Sequence, residues 1–334
     1  MPASQGGATD RTTSLANLRI GILHNPRSGA NQAAGAPLRR LFEAHSDIPY
    51  RDASDPASIA QALGEMAEHG VNTVAISGGD GTVNAVLDIV FGRNPFPVRP
   101  LLAVLRGGTS NMTARDIGMP RSQERAVRAL IAGAANGGDG LAVVERRVMR
   151  IDGAGREPVH GMFFGAAAIA QGIEYCKREL HTRGLRGQIG PALTLARFAM
   201  AMARGDRAIV TPVPITVAID GEPASSFECG IVFVTTLERL LLRLRPYWGA
   251  EAAPLHYTSI RAAPRRWLRA LPDVLRGRPS RHVTAANGYE SRNVRRLLIG
   301  LGGKCFVDGE TVSPVPATPL AFADGGAARF IVPR

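Results

Sequence analysis

Apolar and polar positions follow two different patterns along the 334-residue chain. From about residue 18, short apolar runs end in turns, and each turn leads towards a segment with apolar residues three and four positions apart, the spacing of one helix face. The runs are "LRIGILHN", "VNTVAI" and "PLLAVL", and the helical segments cover residues 33–45, 57–69, 83–91 and 122–134. Strands that alternate with helices through short connections favour a mostly parallel sheet covered on both faces.

After about residue 145 the pattern changes to short apolar runs separated by Gly, Pro and Asp-Gly turns. These runs are "RRVMRID", "HGMFFGAAAI", "PITVAID", "CGIVFVTT", "HYTSIRA", "VRRLLIGL", "KCFVDGE" and "ARFIVP", with helical spacing only at roughly 189–204 and 264–276. This pattern is typical of an antiparallel β-sandwich with a few helices. The sequence therefore predicts an α/β fold class: a disordered tail over residues 1–17, an α/β domain over 18–145 and a β-sandwich domain over 146–319.

Three polar loops rich in small residues follow strands of the first domain. "NPRSGAN" overlaps the end of the run "LRIGILHN", "SGGDGTVN" follows "VNTVAI", and "RGGTSNMTAR" follows "PLLAVL". In open parallel sheets, ligands collect outside the carboxyl ends of the strands. Glycines allow close approach of the backbone, and the helix after each loop favours an anion at its N-terminus. The loops therefore predict a phosphate-binding cradle, although neither a P-loop nor a G-x-G-x-x-G fingerprint is present.

Asp80 stands between glycines in the second of these loops. A carboxylate beside a phosphate repels it unless a divalent cation lies between them or the carboxylate transfers a proton. The alternative is that Asp80 only caps the helix that follows.

The elements "NPRSG", "GGDGT", "GGTSNMTAR" and "VDGE" together resemble the diacylglycerol kinase catalytic-domain family, which includes bacterial soluble lipid kinases, sphingosine kinases and ceramide kinases. The resemblance runs from about Arg19 to Pro333. "GGDGT" alone also occurs in NAD kinases and, more loosely, in phosphofructokinases, whereas Gly108–Arg115 is similar to the lipid branch. The resemblance implies a three-layer α/β domain and a β-sandwich with ATP in the cleft between them. It also implies that the last strand returns to the first domain, so that residues 320–334 complete it.

The same resemblance implies roles for individual residues. Those implied to hold the nucleotide are Asn25, Pro26, Arg27, Ser28, Gly29, Gly78, Gly79, Asp80, Gly81, Thr82, Asn84, Gly108, Thr109 and Asn111. Asp80 would act through Mg²⁺ and its water, while Asp308 and Glu310 would approach the acceptor hydroxyl, with Glu310 as the proton acceptor. Phosphoryl transfer needs a metal that neutralises charge and a carboxylate near the attacking hydroxyl. Without the resemblance, "VDGE" is typical of an Asp-Gly hairpin turn.

The chain also departs from the family pattern. Met112 and Thr113 stand where members often have Asp and Phe. An Asp-Gly-x-Leu-Asp element associated with a second magnesium site is missing, because the corresponding stretch "AEAAPLHYTSI" contains no Asp, so that site is not expected here. "TTLERLLLRLRPYWG" replaces a glycine-rich loop, and we therefore expect a different lipid-facing wall.

The net charge of +12 lies entirely in the second half of the chain, since residues 1–145 carry equal numbers of acidic and basic side chains. Segments 239–248 and 261–282 place arginines beside Leu, Tyr and Trp, which favours contact with an anionic membrane surface. The alternative is that the apolar stripe Trp267, Leu271 and Leu275 packs on the domain while the arginines stay solvated. No nucleic-acid reader module is recognisable, so nucleic acid is not an expected partner.

Composition supports a cytoplasmic protein that binds peripherally to the inner face of the membrane. No apolar run reaches the roughly 18 residues of a spanning helix, no signal peptide is recognisable, and three widely spaced cysteines suit a reducing compartment. The function predicted is an ATP- and Mg²⁺-dependent lipid kinase, with diacylglycerol as the first acceptor and a sphingoid base or ceramide next. A soluble-substrate kinase of the NAD-kinase type and a catalytically silent lipid-binding protein remain alternatives, and the sequence leaves open whether the chain forms a homodimer.

Overall fold

A computed structural model of the chain describes residues 15–32, 41, 45, 47–155, 157–176, 178 and 189–334. Most of the predicted helix over 33–45 and most of the predicted tail lie outside the described residues. Leu15–Asn17, which the prediction put in the tail, form a short 3-10 helix. Leu15 packs against the core of the first domain.

Within the described ranges, four parallel strands and four helices of the first domain have defined bounds. The strands are β1 (Ile20–His24), β2 (Tyr50–Asp52), β3 (Thr73–Gly78) and β4 (Leu101–Arg106); the helices are α1 (Pro56–Glu68), α2 (Asp80–Gly92), α3 (Met112–Asp116) and α4 (Gln123–Ala135). The strands pair in the order β2–β1–β3–β4. Every residue of β1 and β3 is buried, which explains why both strands are continuous apolar runs rather than alternating ones.

The last strand joins the two parts of the molecule. β15 (Leu320–Pro333) pairs along its whole length with β5 (Leu141–Asp152), and its end also pairs with β4 at Phe330 and Leu102. Its beginning pairs with β12 (Arg296–Leu301) of the second part. The parallel and antiparallel strands are therefore hydrogen-bonded into one continuous sheet.

The second part is antiparallel, which confirms the predicted α/β class with parallel strands first and antiparallel strands after them. Its remaining strands are β6 (Val159–Gly161), β7 (Phe163–Ala167), β8 (Val213–Ile219), β9 (Ser225–Thr235), β10 (Leu255–Arg261), β11 (Tyr289–Val294), β13 (Cys305–Val307) and β14 (Glu310–Val312). Their inward side chains, such as Phe164, Val232 and Phe322, form a second core. All three cysteines are free, as expected, but only Cys229 and Cys305 are buried. Burial raises the pKa of both thiols to about 12.

In the part of the chain that the structure describes, three helices with defined bounds cover the outside of the antiparallel strands. They are α5 (Ala168–Tyr175), α6 (Ile189–Arg204) and α7 (Trp267–Arg276). The prediction of a strand over "HGMFFGAAAI" is wrong at its end, where α5 begins at Ala168. α7 runs through Pro272 to Arg276 rather than ending at the proline. No helix in the described ranges has the length and hydropathy needed to cross a membrane.

Candidate active site

The three polar loops meet at the carboxyl edge of β1, β3 and β4. The backbone N–H of Gly79 donates to Ser28 Oγ at 3.1 Å, and that of Ala30 donates to the Gly107 carbonyl at 3.0 Å. A Cβ atom on Gly108 would overlap the Gly79 backbone, so these two loops touch main chain to main chain. Glycine is needed at this contact because any side chain would push the loops apart.

The "GGDGT" segment is a direct junction between a strand and a helix, not the loop that its glycines predict. Gly78 is the last residue of β3, and Gly79 is an extended residue with φ −89° and ψ −178°. Asp80, Gly81 and Thr82 then form the first turn of α2. Two of the glycines thus serve close packing at a junction, and Asp80 and Gly81 are the first residues of α2, where backbone N–H groups lack partners within the helix.

Asp80 does not cap its own helix, so the capping alternative is wrong. Its Oδ2 accepts a hydrogen bond of 2.6 Å from the Ser110 hydroxyl, and its Oδ1 accepts one of 3.3 Å from the Thr113 N–H. Both donors belong to the loop after β4 and the start of α3. The carboxylate therefore ties the "GGDGT" turn to the "GGTSN" loop while remaining partly exposed.

Asparagine side chains shape the loops rather than offering free amides. Asn25 Nδ2 donates to Thr82 Oγ1 at 2.8 Å, which joins the first loop to α2. Asn111, in a left-handed conformation with φ 49°, closes its loop on Gly108 through both side-chain atoms, at 2.8 and 2.6 Å. Asn31, which the sequence did not single out, donates to the carbonyls of Asn25 and Ser77 at 2.8 and 3.0 Å.

The other predicted nucleotide-binding residues lie around this cradle. Pro26, Arg27 and Gly29 are exposed, and a Cβ on Gly29 would lie 3.0 Å from Thr109 Oγ1. Gly107 was not predicted, although a Cβ there would lie only 2.7 Å from the Gly78 nitrogen. Its position directly before the predicted Gly108 was the available signal.

"VDGE" is a hairpin turn whose aspartate is buried. Asp308 and Gly309 connect β13 to β14 with φ 47° and 91°, as an Asp-Gly turn requires. Only 3% of Asp308 is exposed, and its carboxylate accepts hydrogen bonds of 2.9 Å from the N–H groups of Met162 and Phe163. Burial raises the pKa of Asp308 to about 8; the charge of Asp80 acts in the same direction, and the two N–H donors oppose it.

Glu310 is the third carboxylate of the site and lies on the exposed side of the hairpin. A Cβ on Gly81 would overlap its Oε1, so this carboxylate lies directly over the first turn of α2. One turn further along α2, Asn84 donates to the His160 carbonyl at 2.6 Å and to Asp308 Oδ2 at 3.5 Å. The structure thus brings Asp80, Asp308 and Glu310 to the same end of one helix, although they come from opposite ends of the chain.

The site suits a cation held through water better than one held by several carboxylates. Within the described ranges, no three His, Cys, Asp or Glu side chains are arranged to hold a metal ion. Both carboxylate oxygens of Asp80 already accept hydrogen bonds from the protein. The carboxylate would therefore hold a cation through a water molecule rather than by direct coordination through both oxygens. The mutual repulsion of Asp80 and Asp308, seen in the raised pKa of Asp308, would be relieved by a divalent cation between them.

The segment predicted as a lipid-facing wall is partly anchored in the first domain. The Arg239 N–H donates to Asp116 Oδ1 at 2.7 Å, and Leu237 is fully buried in the first core. The Asp116 carboxylate also pairs with Arg146 Nε at 2.7 Å, with 0% and 13% of the two side chains exposed. This part of the wall therefore connects α3 to β5.

Trp267 packs inside the protein, as the packing alternative predicted, whereas Leu271 and Leu275 of the same predicted stripe are only half-buried. Its indole N–H donates to the Ala199 carbonyl at 2.8 Å, and the buried stripe of α7 is Trp267, Ala270 and Val274. Leu268, by contrast, is 63% exposed, and the arginines on either side of it, Arg265, Arg266 and Arg269, are exposed as well.

Known protein sequences are similar to this chain over its first domain. A family model described as "Diacylglycerol kinase catalytic domain" matches residues 19–143. Lipid kinase YegS of Escherichia coli K12 is 30% identical over 114 residues, which are 34% of this chain and 38% of that protein. A diacylglycerol kinase of Bacillus subtilis 168 is 31% identical over 107 residues, 31% of this chain and 34% of that protein. The chain thus spans less than two fifths of the length of these curated relatives.

Comparison with solved structures extends over nearly the whole fold. A crystal structure of a diacylglycerol kinase from Bacillus anthracis str. Sterne covers 93% of this chain and 96% of its own, with a TM-score of 0.58 and 16% identity. Another structure from the same strain, assigned to the same enzyme class, covers the same shares with a TM-score of 0.64 and 18% identity. At these identities the likeness is one of fold.

Proposed function

We propose, because residues 19–143 match a family model described as the diacylglycerol kinase catalytic domain, that the protein is a lipid kinase that transfers the γ-phosphoryl group of ATP to a lipid hydroxyl. The observation that carries the proposal is the meeting of Asp80, Asp308 and Glu310 at the N-terminal end of α2, beside the three polar loops. Phosphoryl transfer depends on positioning and charge stabilisation, and this arrangement supplies both.

The loops would hold the nucleotide phosphates. Gly79 and Gly108 are in main-chain contact and carry no side chain between their loops and the cleft. The positive end of α2 favours a phosphate near Asp80 and Gly81, with Ser28 and Thr109 supplying hydroxyl groups. The hydrogen bond from Asn25 to Thr82 fixes the first loop on α2, so that two of the phosphate-binding segments keep a fixed relation to each other.

Glu310 would accept the proton of the attacking hydroxyl. Its carboxylate is exposed, as a group that must reach a substrate needs to be, and it lies over Gly81. Asp308 acts as a positioning residue, because its hydrogen bonds to the Met162 and Phe163 N–H groups fix the hairpin turn. A general base of this kind raises the rate by roughly 10²- to 10⁴-fold.

Asp80 would hold Mg²⁺ through a water molecule. The metal, when bound, neutralises charge on the phosphates and on the group that is transferred. The hydrogen bonds from Ser110 and Thr113 fix the orientation of the Asp80 carboxylate for this role.

We further propose that the acceptor is a long-chain lipid presented by an anionic membrane surface. Diacylglycerol is the first candidate and a sphingoid base or ceramide the next; the names of the relatives support a lipid, and the second part of the chain lies outside the matched region. The exposed arginines around Leu268 on α7 support a peripheral contact with the inner face of the membrane.

The test is to incubate the protein with labelled ATP, Mg²⁺ and vesicles that contain diacylglycerol, monoacylglycerol, sphingosine or ceramide, with NAD as a soluble acceptor. We expect label in a lipid product and none in NADP. Asp80→Ala should lose this activity and keep its circular dichroism spectrum and thermal midpoint. Full activity in Asp80→Ala would disprove the proposed role of the carboxylate, and label in NADP alone would replace the lipid kinase with a soluble-substrate kinase.

A further inference from the structure

Three arginines lie close enough to act on one another's charge near the loop that contains Ser110. Arg106 ends β4, Arg115 lies in α3, and Arg121 directly precedes the N-cap of α4. Ser110 links Asp80 to Arg115, because its hydroxyl donates to Asp80 while its carbonyl accepts a hydrogen bond of 3.0 Å from Arg115 Nε. We call Arg106, Arg115 and Arg121 the arginine cluster.

None of the carboxylates in the described part of the chain pairs with this cluster. The Nε atom of Arg106 is buried and has no hydrogen-bond partner. Among the residues that the structure describes, no acidic side chain forms a salt bridge with any of the three arginines, whereas Arg146, Arg147 and Arg150 on β5 each have at least one. The cluster is therefore an uncompensated positive site in a domain that has no net charge over residues 1–145.

Such an arrangement is costly unless an anion completes it. A buried donor without a partner destabilises the folded protein, and more so when its group is charged. Burial and the charges of Arg115 and Arg121 hold the pKa of the Arg106 guanidinium below its ordinary value. A guanidinium presents its N–H groups as a planar fork that fits two oxygens of a phosphate, and this geometry distinguishes phosphate from a simple halide ion.

We propose that the arginine cluster binds a phosphate group at a site next to the glycine cradle and separate from it. Anion binding here does not depend on the proposed kinase activity, but the identity of the anion does. In a lipid kinase the phosphate belongs either to the nucleotide, at the end that faces Asp80, or to the headgroup of an anionic phospholipid that lies against the cleft.

The test uses Arg106→Gln and Arg121→Gln, with Arg125→Gln as the matched control. Arg125 is an exposed arginine in the first turn of α4 and is not among the charges that act on Arg106. We expect pyrophosphate, titrated by calorimetry, to bind about tenfold more weakly to each cluster variant and unchanged to the control. Thermal midpoints are measured for all variants; Arg121→Gln alters an exposed side chain and carries the test should Arg106→Gln fold poorly.

Two further titrations identify the source of the phosphate. Weaker ATP binding with unchanged binding to phosphatidylglycerol vesicles identifies the nucleotide, and the reverse identifies the lipid headgroup. Equal pyrophosphate affinity in wild type and folded cluster variants overturns the inference. Absence of phosphoryl transfer to any lipid would end the proposed function, yet a cluster-dependent affinity for pyrophosphate would still stand.

Discussion

Glu310 lies directly over Gly81, so that any side chain at position 81 would overlap its carboxylate. Gly81 belongs to the first turn of α2 in the first domain, and Glu310 begins β14 near the end of the chain. This contact couples the phosphate-facing helix end to the hairpin that would meet the lipid hydroxyl. The site is consequently assembled from two parts of the chain that fold onto each other.

Replacing Gly81 with Ala should impair transfer without unfolding the protein. Gly81 is helical, where alanine is favoured by roughly 1 kcal/mol, and the atom that it would displace is the end of an exposed side chain. We expect kcat to fall by about 100-fold, the lower range for loss of a positioned general base. Kinetics and the free energy of unfolding, measured by urea denaturation, check both expectations.

Two comparisons make the Gly81 result specific. Gly64→Ala in α1 is the matched control, because a Cβ there meets nothing within 4 Å, and it should leave kcat unchanged. In a Glu310→Gln background, Gly81→Ala should add little further loss, since both changes remove the same interaction. Full additivity of the two losses would show that alanine acts through the nucleotide instead.

The Asp308 carboxyl should make the free energy of unfolding depend on pH, and Asp308→Asn should remove that dependence. Because its pKa is raised from 3.8 to about 8 in the folded protein, the native state binds the proton more tightly than the unfolded chain. The contribution of the neutral acid is therefore fully present below pH 3.8 and is lost as the pH rises towards about 8. The stability of wild type relative to Asp308→Asn should fall by on the order of 1 kcal/mol per pH unit between these limits.

The measurement is urea denaturation of both proteins from pH 5 to pH 9. Asp220→Asn provides the control, since Asp220 begins a similar Asp-Gly turn, with φ 48° and 87°, but is exposed. The difference in stability between Asp220→Asn and wild type should vary little between pH 5 and pH 9. A constant difference between wild type and Asp308→Asn across the whole range would contradict the raised pKa.

The buried strands and long helices could be predicted from sequence because their signals are local. β1 and β3 are unbroken apolar runs, and α1 begins at a capping box formed by Asp55 and Ser58. β11 lacked such a signal, because its residues "YESRNV" are mostly polar and half-buried and pair only with β10. α5 lacked one as well, since its Ala- and Gly-containing sequence continues the apolar run of β7.

For the site, the sequence could predict only which types of residue take part. The burial of Asp308 depends on the register of β13 against β7, in which Val307 pairs with Phe164. The contact of Glu310 with Gly81 likewise depends on how the hairpin meets α2. Neither relationship is contained in a short stretch of sequence, so a motif indicates that a carboxylate is present without indicating its burial or its partner.

Breaking the buried pair of Arg146 and Asp116 should destabilise the connection between α3 and β5. Arg146→Met leaves the Asp116 carboxylate buried without its cation, which typically costs about 3–5 kcal/mol. Burial already raises the pKa of Asp116, and Arg146 lowers it. Without Arg146, Asp116 would take up a proton more readily, so the loss should be larger at pH 8 than at pH 5.

The neighbouring pair on the same strand is the control for this prediction. Arg147→Met removes an ion pair with Asp324 that is 40% and 31% exposed, and it should cost less than about 1 kcal/mol. Combining Asp116→Asn with Arg146→Met should recover much of the lost stability, since no buried charge then remains unpaired. Equal losses from Arg146→Met and Arg147→Met would show that burial of Asp116 does not govern the energetics.

The exposed face of α7 should control binding to anionic vesicles. Leu268 protrudes between Arg265 and Arg269, and the buried stripe of the helix does not include any of the three. Each arginine near an anionic surface contributes about 1 kcal/mol, so Arg265→Gln with Arg269→Gln should weaken partitioning by more than tenfold. Leu268→Gln should weaken it further by removing the apolar contact, and neither change should alter the thermal midpoint.

Sedimentation with vesicles of phosphatidylcholine, with and without phosphatidylglycerol, measures this effect. The control pair Arg125→Gln with Arg128→Gln removes the same charge from exposed positions on α4 in the first domain. Added salt should weaken the binding of wild type and narrow its difference from the α7 variants, because screening acts on exposed charges. If the α4 and α7 pairs weaken partitioning equally, overall charge rather than the face of α7 directs the protein to the membrane.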